Sequence, residues 1–294
     1  MCFSATASFA SGAILLFLGL CSVLLIPFMT RTKDDPSTTS SIMTTSQKMA
    51  LASVAAIPLI FGGHQLSEGF VWTDMENEHA VRCFAYTAYV LWPLYISLSF
   101  ALVEWTRRPI TENHWSYWPQ HSTNTEDHDH GVLSVKSRRG ILTFHVLLAS
   151  GFVALVVPEM IRMDPETVRD VNGRLQYEGW GLDNKYLDIL CNVIYVYCVV
   201  GSLLISSLRY STVFGALVLA SLIATRILWE NQYPSTWCFF SAVISSMVIF
   251  IVWSELKLYT QQEPEQEEDA GQVTVVTKNP SRNSKHKAVD ELAV

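Results

Sequence analysis

Two short constellations in this sequence carry residues that could do chemistry at membrane depth. His64, Gln65 and Glu68 fall within one turn of each other, and Arg226 and Glu230 repeat the spacing of a base and a carboxylate four residues apart. On a helix, residues i and i+4 share a face, so each pair would present a proton donor or cation beside an acid. Imidazole titrates near neutrality and suits a proton relay, and a guanidinium suits an anionic ligand or a carboxylate. Asn192, Asn231 and the leading Cys2-Phe3-Ser4 fall at a similar depth when counted along the chain.

These pairs lie in apolar stretches. Only 16% of the 294 residues are charged, against 50% hydrophobic, and residues 1–30 contain no Asp, Glu, Lys or Arg. A soluble core cannot use so many long, uniformly apolar runs, so the composition excludes a soluble globular protein. Seven stretches reach the roughly 20 residues that a bilayer core demands: 9–29, 49–72, 83–105, 140–158, 187–208, 211–230 and 235–254. The expected fold is an all-α bundle of seven transmembrane helices. Residues 106–139 then form a histidine-containing cytoplasmic loop, and 255–294 form a polar tail too poor in apolar residues to order itself.

Loop charges orient the bundle. Nothing charged precedes the first span, while Arg31 and Lys33 follow it. Arg107, Arg108, Lys136, Arg138, Arg139 and Arg209 fall on alternate loops, and Asp74, Glu76 and Glu78 on the opposite side. The positive-inside rule gives N-out, C-in. His64 lies fifteen residues beyond Met49, and Arg226 fifteen beyond Ser211. At 1.5 Å per residue, both stand about 22 Å from the inner side. The matched depth suggests an outer-leaflet polar pocket and a parallel 3+1+3 duplication. Cys83-Phe84 and Cys238-Phe239 open the third and seventh spans, and Trp105 and Trp253 close them.

Intramembrane ionisable groups cost roughly 2.5–3.5 kcal/mol each at a helix centre, so they mark function by default. A snorkelling arginine bonded along its own helix is the simpler alternative. Pro58, Gly62-Gly63 and Pro93 predict bends near the cluster. Trp72, Trp92, Trp105, Trp229, Trp237 and Trp253 read as interfacial anchors, and His145 as a packed or interface residue. Metal ligation has weak candidates in His64, Glu68 and Glu230, and in the loop pair His128 and His130, since imidazole with carboxylate suits divalent ions. A disulfide among Cys2, Cys83 and Cys238 is chemically reasonable in an oxidising space. The C-terminal Leu292-Ala293-Val294 could add to a PDZ-type sheet edge. The net charge of −7 offers nothing to nucleic acid.

The opening Met1-Cys2-Phe3-Ser4-Ala5-Thr6-Ala7-Ser8-Phe9, together with Gly62-Gly63-His64-Gln65-Leu66-Ser67-Glu68-Gly69-Phe70-Val71-Trp72, resembles a family of uncharacterised multi-pass membrane proteins, mostly bacterial. The resemblance spans residues 1–254 and leaves out the tail, and the 106–139 loop is extra relative to shorter members. It implies an uncleaved N-terminus and supplies no established activity. Better-known seven-helix families fit poorly. The last span lacks a Schiff-base lysine, Glu104-Trp105-Thr106-Arg107 is no Asp/Glu-Arg-Tyr motif, and the last helix lacks the paired histidines of alkaline-ceramidase-like hydrolases. The expectation is a transporter, channel or sensor in the plasma membrane that handles a small polar ligand or proton. A membrane-embedded metal hydrolase and a structural or assembly protein stand as the alternatives.

Overall fold

The computed structural model describes residues 4–30, 43–107, 134–162, 168–170, 175–177, 185–228 and 233–261. Six stretches are long and apolar enough to cross a membrane: Ala5–Met29, Thr45–Thr73, Glu78–Thr106, Val135–Arg162, Ser211–Leu228 and Phe240–Tyr259. A shorter apolar segment, Ile189–Ile205, makes a seventh candidate. The chain is a multi-pass all-α membrane bundle.

The first helix, α1 (Ala5–Met29), starts where the Ser4 side chain accepts from the backbone N–H of Ala7, satisfying one of the free donors of a helix N-terminus. Its buried residues are Ser8, Gly12, Leu15, Gly19, Ser22 and Ile26. Steps of four and three alternate along this set, which places all six on one seam. The seam is small because it meets another backbone. A Cβ on Gly12 would stand 3.0 Å from the carbonyl oxygen of Gly62, and one on Gly19 would stand 2.6 Å from the amide nitrogen of Leu59. Close approach of this kind replaces the missing hydrophobic drive between helices in lipid. Ile14, Phe17, Leu20, Leu24 and Phe28 are exposed on the other faces of α1.

Three spans are broken, two of them beside a proline. The second comprises α2 (Thr45–Ala55) and α3 (Ile57–Thr73), with Pro58 in the first turn of α3. The break is bridged by Tyr95, whose hydroxyl donates to the carbonyl of Ser53 at 2.6 Å. The third span runs through α4 (Glu78–Tyr86), a π-turn over Thr87–Leu91 and α5 (Trp92–Thr106), with Pro93 just after the turn. The last comprises α9 (Tyr233–Ser245) and α10 (Val248–Gln261). The bends expected at Pro58 and Pro93 are therefore present. Gly62 meets α1, whereas Gly63 faces open space.

Between these lie α6 (Val135–Arg162), α7 (Lys185–Ile205) and α8 (Ser211–Leu228). A small antiparallel hairpin joins α6 to α7: β1 (Val168–Asp170) pairs with β2 (Leu175–Tyr177), Val168 opposite Tyr177. Several boundaries move: the first, second and third spans and α6 each begin four or five residues earlier than expected, and α6 ends at Arg162 instead of 158. The α7 helix ends at Ile205 instead of 208, leaving five residues, 206–210, as the link to α8. The last helix runs on to Gln261 instead of ending at 254, because Glu255 and Leu256 are buried and Leu258 and Tyr259 half-buried.

Two of the tryptophans expected as interfacial anchors are core residues. Trp105 and Trp253 are exposed, but Trp92 is 2% exposed and Trp237 7%. The span starts at Glu78, so Trp92 lies fourteen residues in, about 21 Å from its start. Position along the sequence does not reveal which face of a helix meets the bundle.

Candidate functional site

On α3, His64, Gln65 and Glu68 are all buried, His64 and Glu68 at 1% exposure. The His64 ring stacks on Phe84 of α4, centroids 4.4 Å apart and planes 21° from parallel. Neither ring nitrogen has a hydrogen-bond partner among the described residues. Gln65 accepts from the Ser11 hydroxyl on α1 at 3.2 Å, while its amide nitrogen has no partner there. The hydroxyl of Ser67 is spent locally on the carbonyl of His64 at 2.7 Å. A buried polar group without a partner costs roughly 1–3 kcal/mol, and in lipid no water is at hand to repair it. Such groups are expected where a ligand, water or proton completes them.

His145 shows the contrast. Its Nδ1 lies 3.0 Å from the Ser202 hydroxyl, its ring edge meets Tyr197, and a Cβ on Gly201 would stand 2.9 Å from its Cε1. It is a packed histidine with one nitrogen bonded, although its Nε2 also has no partner among the described residues.

The other sequence candidates lie on other elements. Arg226 is exposed in the last turn of α8, and Asn192 is half-buried on α7. Helix α9 packs against both α3 and α8. Ser4 serves as the cap of α1. Cys83 is an exposed free thiol. Cys2, Glu230, Asn231, His128, His130, Val294 and the side chain of Cys238 lie outside the described residues. Among the described residues, no group of three His, Cys, Asp or Glu side chains could hold a metal ion.

A second polar cluster, unanticipated from the sequence, closes the opposite end of the bundle. Arg107, just past α5, donates through Nη2 to Oε2 of Glu255 on α10 at 2.7 Å, and through Nη1 to the Ser207 hydroxyl. Ser207 lies in the α7–α8 link and donates both its hydroxyl and its backbone N–H to Oε1 of Glu104, at 2.5 and 2.6 Å. The backbone N–H of Arg209 donates to the other Glu255 oxygen at 2.7 Å. Arg139 of α6 donates to the backbone carbonyls of Glu104 and Arg107, both at 2.7 Å, and so caps the end of α5. Tyr210 turns the link with a φ of 65°. Four segments, the end of α5, α6, the α7–α8 link and α10, are thereby tied by charge-assisted bonds. The readable signal was the i, i+3 spacing of Glu104 and Arg107 and the apolar Leu256, Leu258 and Tyr259 that carry the last helix past Ser254.

Between the two clusters lies a small apolar cavity of about 20 Å³, walled by Phe61, Trp92, Tyr195, Phe214, Val218 and Trp237. Phe61 stacks on Trp92 with centroids 3.7 Å apart, and Tyr195 meets Trp237 edge to face.

Fold and polar clusters together define an integral, multi-pass helical membrane protein with ionisable groups sealed inside the bundle. Residues 130–264 match the model of a family of unknown function (DUF6629), to which this part of the chain is similar. No curated protein and no solved structure matches.

Proposed function

We propose that this protein is a transporter, channel or sensor in which His64, with Gln65 and Glu68, binds a small polar ligand or a proton. The observation that supports the reading is the His64 imidazole, buried in the bundle with neither nitrogen bonded among the described residues. Its neighbours are placed to work with it: Glu68 stands one turn away on the same helix, and Ser11 orients Gln65 from α1. In the orientation drawn from loop charge, this end faces outside and the Arg107 cluster faces the cytoplasm, where arginines concentrate.

The test is proton uptake by purified full-length protein in vesicles, driven by an imposed potassium diffusion potential and followed with a trapped pH dye. Uptake above empty vesicles, lowered about tenfold or more in His64→Ala and Glu68→Gln but kept in His145→Ala, is the expected result; removing a proton-transfer group typically costs roughly 10²-fold or more. Equal uptake in all four proteins would overturn the assignment.

A further inference from the structure

The aromatic cavity and the His64 cluster adjoin. Phe61, in the cavity wall, and His64 are three residues apart on α3, so they lie on one face about a turn apart. Their ring partners follow the same order: Phe61 stacks on Trp92, and His64 on Phe84 of the same span. Three broken helices surround this region. The α2–α3 break precedes Phe61, the π-turn over Thr87–Leu91 ends against Trp92, and the α9–α10 break at 246–247 follows Ser241, another wall residue. Discontinuous helices line substrate sites in many transporters, and π-turns recur at functional sites.

Resting on the functional reading above, we propose that the ligand of this site is an amphipathic carboxylic acid or alcohol, whose apolar body enters the aromatic cavity while its oxygen head meets His64 and Gln65. The unmet groups select this head. A neutral imidazole offers one donor and one acceptor, and the Gln65 amide nitrogen adds a donor. A carboxyl or hydroxyl group can accept from the donors and give its own proton to the acceptor. The surface facing the cavity is apolar and has no use for a sugar or an inorganic ion. Buried polar atoms of Trp92, Trp237 and Ser241, all wall residues, also lack partners among the described residues. At about 20 Å³ the cavity holds little more than one water, which needs roughly 10–15 Å³ by this measure. A ligand therefore enters by flexing the breaks around it.

The probe is decanoic acid with a mid-chain diazirine, photolysed on the full-length protein in lipid nanodiscs and mapped by peptide mass spectrometry. Labelling should concentrate on Phe61, Trp92, Val218 and Trp237 over lipid-facing Phe17 and Leu24, and excess decanoic acid should displace it. The methyl ester, which has no proton to donate, should label about fivefold less, as one lost hydrogen bond implies. His64→Leu should erase the difference between acid and ester, and cavity-filling Val218→Trp or Ser241→Leu should remove the cavity label. Label spread evenly over the lipid face and undisplaced by decanoic acid would overturn the proposal, as would displaceable label confined to the surroundings of His64. In either case, proton uptake that still depends on His64 would leave the functional reading standing, so the two can fail separately.

Discussion

The two polar clusters sit at opposite ends of one bundle and are built on opposite principles. Gln47 of α2 lines a small recess beside Arg107 and Glu255. His64 lies seventeen residues further along the same span, about 26 Å away. At the Arg107 end, charges of both signs meet and most polar atoms find partners across four segments, although Oε2 of Glu104 has none among the described residues. At the His64 end, the imidazole and one amide are equally buried but unmet among the described residues. A satisfied network holds a structure together, whereas an unsatisfied one tolerates its cost only when something else repays it. The comparison gives fastening to one end, and the ligand handling proposed above would fall to the other.

The largest expected effect breaks the fastening. Arg107→Ala leaves the Glu255 carboxylate buried with only the Arg209 backbone N–H to meet it and should destabilise the detergent-solubilised protein by about 3 kcal/mol, seen as a lower thermal unfolding midpoint. Replacing Arg107 and Glu255 together by leucine should recover most of that loss, because the stranded charge is gone. Next comes Gly19→Val, whose side chain would run into the Leu59 backbone; about 2 kcal/mol is expected from overpacking, in the same unfolding measurement. Thr44→Ala removes half of the capping box with Gln47 at the start of α2 and should cost about 1 kcal/mol. His64→Leu is the smallest and sharpens the contrast most. It deletes unpartnered polar atoms, so the midpoint should stay within about 0.5 kcal/mol of wild type or rise, while proton uptake is lost. A large destabilisation in His64→Leu would return this histidine to the structural class of His145.

Much of this architecture was legible in the residues. The apolar stretches placed the spans, Pro58 and Pro93 marked bends, and the i, i+4 relation of His64 and Glu68 put both on one face. What stayed hidden depends on neighbours far apart in sequence. Glu104, Ser207 and Glu255 meet only because α5, α7, α8 and α10 end together, and nothing in their spacing announces it. The burial of Trp92 and Trp237 was missed for a similar cause, since a tryptophan counted near a span end can face lipid or core. The clustering of Arg226 with His64 was argued from equal depth alone. Depth fixes a height in the bundle and leaves open which helices stand side by side.

The glycine-spaced contact between α1 and α3 bears on how the chain is made. Among the candidate spans, Ala5–Met29 is the most apolar, whereas Thr45–Thr73 and Glu78–Thr106 are the least. The Ala5–Met29 span, made before the other two, can therefore enter the bilayer unaided. The second carries His64, Gln65 and Glu68 and is a poor candidate to enter alone. A docking surface already waiting in the membrane, cut to accept Leu59, Gly62 and Leu66, lets the earlier helix act as an internal chaperone for the later one. Gly12 and Gly19 would then matter during synthesis, and valine at either position should show first as protein degraded before assembly.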